Sequence, residues 1–290
     1  MALWIFLVLG VALINGFVNI LDKHVVSSEV RDPVFCTTFW TIVNFVLMLI
    51  VFLIAGQKFV FNTSAIYAII AGAVAAIAVI FYYKALKSEE VSRVLPMLAI
   101  VPLFVLLIST IFLGESFGWI KYLAIFFLVA GAFLISVKNF KHFKISKVLG
   151  IVLLSALFFS LRTPITRVAT FGLNFWQTSF YTSVGLLIVG LILWIFHHPT
   201  MKSRAKIKGL EYLFLANAIG VGAILLGVWA LTLAQASLVS ALNSVQDLFV
   251  FILAIFFAKE GFIKEHLSKK TIVFKIIAIA LIIAGSILIG

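Results

Sequence analysis

The residues able to do chemistry are the few polar ones inside long apolar stretches, because a charged or polar group there is costly to keep. Asp247 is the clearest. It stands near the middle of ASLVSALNSVQDLFVFILAIFFA (236–258), with Gln246 beside it and Asn243 one helical turn earlier. Spacing of i,i+4 puts Asn243 and Asp247 on one helix face. A carboxylate there serves either to contact a substrate or carry a proton in a cavity, or to pair structurally with Arg162. Arg162 lies in an apolar run beside Thr163-Pro164. Its planar guanidinium suits a carboxylate or phosphate, and proline in a helix permits a kink or break. The other readings are a pair with Asp247 or snorkelling to an interface. Asn15 and Asn19 share a face at i,i+4, which Asp22 extends. They either line the same cavity or bond neighbouring helices. Tyr82, Tyr83 and Trp229 offer aromatic walls for an amphipathic ligand; the alternative is anchoring at a membrane interface.

Catalysis finds little support. HExxH and the Walker A pattern are absent from the sequence, and no catalytic residue, metal or cofactor is expected. The five histidines fall in loops or at a helix end. The adjacent His197-His198 is expected to be solvated rather than metal-binding. Cys36 is the single cysteine, so neither an intrachain disulfide nor a thiolate metal cluster is expected.

The elements that hold these residues follow from composition. The 290-residue chain is 64% hydrophobic and 11% charged, with a mean hydropathy of +1.26. A soluble domain carries about 25% charge. Lipid is therefore the expected solvent, and a spanning chain must satisfy its backbone within helices or a closed barrel. The apolar runs lack the two-residue alternation of a barrel. The fold class expected is thus an all-α integral membrane protein. The net charge of +12 is assigned to basic loops rather than to nucleic acid, because no basic stretch interleaves with aromatics on a polar surface. The opening MALWIFLVLG lacks a basic n-region and is read as a permanent first span.

A repeat decides the architecture. Residues 67–115 align without a gap on residues 212–260, a shift of 145, with 13 of 49 positions identical, among them Ser92/Ser237 and Glu115/Glu260. Two further pairs agree. PVFCTTFWTIV aligns with NFWQTSFYTSV, placing Thr37/Thr178 and Thr41/Thr182 in register, and VAGAFLI echoes IAGSILI. With about 20 residues per crossing, ten spans are predicted: Ala2–Leu21, Pro33–Ile54, Ser64–Leu86, Val91–Leu113, Gly118–Val137, Val148–Ala169, Asn174–Phe196, Gly209–Ala234, Ala236–Ala258 and Thr271–Gly290. Thr63 or Ser64 is the expected cap of span 3, and span 6 is expected to be interrupted at Arg162–Pro164. Residues 1–137 and 148–290 form two five-helix repeats, joined by a basic linker at 138–147.

Five spans per copy make the halves enter the membrane from opposite sides, so the ten helices form two inverted repeats. Loops 1–2, 3–4, 5–6, 7–8 and 9–10 with adjoining helix ends hold 18 of the 22 Lys and Arg, which predicts that these loops are cytoplasmic.

At Phe112–Glu115, FLGE, followed by GWIKYLAIFFLVAGAFLIS, the chain resembles the drug/metabolite transporter superfamily, EamA-type. The resemblance implies ten helices in two repeats, an apolar-Gly-Glu end to each fourth helix, and transport of small metabolites. Pro102 matches a proline common in that helix of the family. The second copy departs: Lys259-Glu260 replaces Gly-Glu, and Asp247 stands where the proline would be.

The expected function is a secondary transporter that moves a small metabolite or amphipathic compound by alternating access, with proton-coupled export. Its partners are the lipid bilayer, the small-molecule substrate and a coupling proton. The other readings are an integral-membrane enzyme or lipid-handling protein, which would show a clustered acid/base set, and a non-transporting subunit, which would leave no cavity. Glu115 and Glu260 are expected to be structural, and Pro96 and Pro102 to bend span 4.

Overall fold

The structure, a computed structural model, describes residues 3–25, 30, 32–88, 94, 98–136, 147–197, 207–259 and 269–289. The basic linker apart from Lys147, together with Pro96 and Glu260, lies outside the described residues.

Among the described residues every regular element is helical. In chain order these are α1 Leu3–His24, α2 Pro33–Ile54, α3 Thr63–Ser88, α4 Val101–Leu113, α5 Trp119–Ser136, α6 Lys147–Ala169, α7 Phe175–His197, α8 Ile207–Leu233, α9 Ala236–Asn243, α10 Gln246–Lys259 and α11 Lys269–Ile289. Among the described residues, seven helical stretches are long and apolar enough to cross a membrane: Leu3–Asp22, Pro33–Ile54, Thr63–Lys87, Gly150–Ala169, Phe175–His197, Gly209–Leu233 and Ala236–Leu253. Three shorter apolar helices cover Val101–Leu113, Trp119–Leu134 and Ile276–Leu288. Large apolar side chains such as Ile54, Phe112 and Phe196 stand exposed on the outside, as a lipid-facing surface requires.

Local signals set the helix starts. Asp32 caps α2, its carboxylate accepting from Val34 N at 2.9 Å, with Pro33 in the first turn. At α3 the cap is Asn62, whose Oδ1 accepts from Ala65 N at 3.0 Å. This corrects the expected Thr63 or Ser64: the helix begins one residue earlier, and the amide oxygen outcompetes a hydroxyl at that position.

Two spans read as continuous are broken. Span 9 divides into α9 and α10 at the turn Ser244-Val245, and α4 is preceded by a turn at Ala99-Ile100. The two turns are 145 residues apart, so the break occupies the same repeat position in both copies. In the first copy Pro102 lies in the first turn of the new helix and has no N–H to bond the carbonyl of Leu98, so the ladder cannot run through. In the second, Asp247 occupies the first turn of α10, where a carboxylate meets the positive helix end. The interruption expected in span 6 is absent: α6 runs from Lys147 to Ala169 with Pro164 inside it.

Contacts between helices come in matched sets. α3 packs on α6 and α7, as α8 packs on α1 and α2. α4 packs on α6, as α9 and α10 pack on α1. α2 lies against α7, and α5 against α11. Exchanging first-half helices for their second-half counterparts maps this set onto itself. The α5–α11 contact is reciprocal to the residue: a Cβ on Gly131 would stand 2.9 Å from Ala278 O, and one on Gly285 2.9 Å from Ala124 O. The AGA and AGS echo thus records two backbones in close approach.

Candidate functional site

The helix breaks matter because of what surrounds them. A cavity of about 330 Å³ is lined by α1, α3, α6, α8, α9, α10 and the residues around both breaks, together with Trp40 of α2. That volume is at the small end of ligand pockets.

Of the residues selected from the sequence, Asn15, Asn19, Tyr82, Tyr83, Arg162, Asn243, Gln246 and Asp247 all line this cavity. Helical spacing explains the grouping. On α1 the lining positions are Val8, Val11, Asn15, Val18, Asn19 and Asp22, a single stripe. On α8 the lining positions include the small residues Ala216, Gly220, Ala223 and Gly227, which leave room for the space.

Trp229 does not belong to the set. It lies on α8 beyond the edge of the lining stripe and stacks on Phe175 with ring centroids 5.2 Å apart and planes at 13°. One residue past Val228 turns a side chain by about 100°, which carries Trp229 from the cavity to the α7–α8 side.

The cavity holds both charge signs. Asp22 accepts a hydrogen bond from the Tyr83 hydroxyl, and Tyr82 lies near both Asp22 and Asp247. Asp247 is 7% exposed. Arg162 projects from α6 beside Thr163 and Thr166, and among the described residues its guanidinium forms no ion pair. Asn243 Oδ1 is buried without a hydrogen-bond partner among the described residues. Unwound backbone at membrane depth is tolerated where it borders protein or a water-filled cavity, and both breaks do so: Ala99, Val101 and Pro102 in the first copy, Ser244 and Gln246 in the second. Ser160 on α6 reaches the first of them, its hydroxyl donating to Val101 O at 3.2 Å.

Sequence reasoning misses Asn217 on α8, which lines the cavity and accepts from Asn44 Nδ2 on α2 at 2.8 Å. The signal is present: Asn44 and Asn217 are two amides inside apolar spans. Glu115, expected to be structural, finds its partners at the start of α9. Gly114 ends α4 in the left-handed region at φ 64°, which only glycine adopts cheaply. The chain then turns so that Glu115 meets the start of α9, accepting from Ala236 N at 2.7 Å, Ser237 N at 3.1 Å and Ser237 Oγ at 2.6 Å. Arg167 on α6 donates to the carbonyl of Leu231 at the end of α8 and lies over the Phe171 ring.

Three comparisons bear on this arrangement. Residues 2–137 match the EamA-like transporter family, within the drug/metabolite transporter superfamily. No curated protein matches the chain. Among solved structures, a crystal structure described only as that of a protein aligns with a TM-score of 0.75 at 14% identity, covering 98% of this chain and 95% of its own. At that identity the likeness speaks for the fold alone. The family match covers the stretch that carries FLGE, from which the resemblance is drawn.

Proposed function

We propose that this chain, matching the EamA-like transporters over residues 2–137, is a secondary transporter that moves a small polar or amphipathic molecule through the cavity by alternating access. In this reading ten helices span the bilayer as two inverted repeats, residues 1–137 and 148–290. Three lines of support meet: the odd number of spans expected per copy, the helix contacts that exchange onto themselves, and the equivalent position of the two breaks.

The observation that carries the proposal is the pair of breaks 145 residues apart, both bordering one cavity with Arg162 on one element and Asp22 and Asp247 on others. Discontinuous helices that meet at a polar midplane site are a recurrent transporter plan. The aromatic rings of Tyr82, Tyr83 and Trp40 add an apolar wall. Asn243, Gln246, Arg162 and Asp247 are the proposed substrate contacts, with Asn15 and Asn19 on the facing helix. Asp247 is the proposed carrier of a coupling proton. The basic loops 1–2, 3–4, 5–6, 7–8 and 9–10 are proposed to face the cytoplasm.

Uptake of a chemically varied metabolite panel into proteoliposomes, with and without an imposed pH gradient, tests both parts. A compound that moves, faster with the gradient, supports the reading. Movement that ignores the gradient removes the proton. A panel in which nothing moves speaks against transport.

A further inference from the structure

The ends of the helices opposite the basic loops are tied together across the two halves. Asn62 Nδ2 donates to Gly172 O at 3.2 Å, Asn174 Nδ2 to Gln57 Oε1 at 2.9 Å, and Gln177 Nε2 to Lys58 O at 3.1 Å. The most buried tie is Glu115, which is 6% exposed and accepts three bonds from Ala236 and Ser237.

That tie has an unusual target. α9 is an eight-residue rod with a tight connection at one end and the Ser244-Val245 break at the other. Its own N-cap residue, Gln235, makes no side-chain cap bond. The free N–H groups of a helix start need acceptors, and a carboxylate there also meets the positive end of the helix dipole. Glu115, delivered from the other half of the chain by the left-handed Gly114, fills that role. The opposite end of the same rod reaches the cavity, where Val239, Ser240 and Asn243 line the wall.

We propose that the Glu115 contact with the start of α9 is a latch closing the cavity on the face of loops 4–5 and 8–9. Its release lets α9 swing away and opens that face. The inference rests on the alternating-access reading and adds the element that gates it. Charge-assisted hydrogen bonds are stronger than neutral ones, and losing this set is enough to bias two states by a factor of about ten or more.

The test labels Ser240→Cys, in a Cys36→Ser background, with a membrane-impermeant maleimide applied to one face at a time. Glu115→Gln is expected to raise labelling from the face of loops 4–5 and 8–9 about tenfold and to lower it from the opposite face. Ser237→Ala removes one bond of the three and is expected to shift both rates the same way by about two- to threefold. It carries the test if Glu115→Gln fails to fold. Unchanged rates overturn the latch. So does a rise from both faces, which is what simple loosening would give. A sided shift in a protein that moves no compound keeps the latch and removes transport. Transport with unshifted labelling does the reverse.

Discussion

Asn44 on α2 donates to Asn217 on α8 at 2.8 Å, at the crossing whose counterpart in the other half is Gly72 of α3 against Gly185 of α7. The shifts of 145 and 141 residues carry Gly72 onto Asn217 and Asn44 onto Gly185. A Cβ on either glycine would collide with the facing backbone, Thr182 O for Gly72 and Ile69 O for Gly185. One crossing is thus held by backbone approach and the other by an amide pair. The amide version faces the cavity through Asn217.

The two crossings should respond differently to substitution. Gly72→Leu or Gly185→Leu should abolish accumulation of folded protein, because the helices cannot separate without losing their contacts with the rest of the bundle. Asn44→Ala should cost only about 1–2 kcal/mol, the range for an interhelical hydrogen bond in a membrane. Thermal unfolding in detergent and gel-filtration yield measure both. Equal tolerance at all three positions would contradict the assigned packing.

Gly114 is a second check on local geometry. Its left-handed φ of 64° makes Gly114→Ala cost about 1–2 kcal/mol. The nearby Gly118 has an ordinary φ and open space where a methyl group would stand, so Gly118→Ala should be close to neutral in the same melting experiment. A neutral Gly114→Ala would remove the account of the Gly-Glu turn.

Tyr83 and Tyr82 are adjacent, both line the cavity, and differ in role. Tyr83 is 2% exposed and donates to Asp22. Tyr83→Phe leaves that carboxylate without its donor, so it should lower stability by about 1–3 kcal/mol. Tyr82→Phe keeps the ring that forms the wall, and it should melt within about 0.5 kcal/mol of the parent. If Tyr82→Phe is the more damaging of the two in a melt, the assigned hydrogen bond is wrong.

Much of this is legible in the residues. Apolar runs of about 20 and their 145-residue echo locate the spans, because lipid leaves a chain few choices beyond helix. The polar residues stranded in those runs lead to one cavity for the same reason: helical spacing gathers Asn15, Asn19 and Asp22 on one stripe. What the residues do not reveal depends on packing between halves. Ser244-Val245 contains neither proline nor glycine, so nothing local marks the break that the first copy signals with Pro102. Its aromatic ring groups Trp229 with Tyr82 and Tyr83, but its position on α8 turns it towards Phe175. Glu115 is recognisable as a structural end-residue from its motif, while its partner 121 positions away in Ala236 requires the fold.

If the space between the two broken helices is the transport path, its charged lining must govern the rate. The most direct measurement is proteoliposome uptake of one metabolite panel by the parent protein, Asp247→Asn and Arg162→Gln, each reconstituted to the same amount of folded protein. At least one compound should enter with the parent, and its rate should fall about tenfold or more in both variants, the loss expected when a charge-assisted contact is removed. A panel in which no compound enters, or a compound that enters undiminished in both variants, would contradict that path.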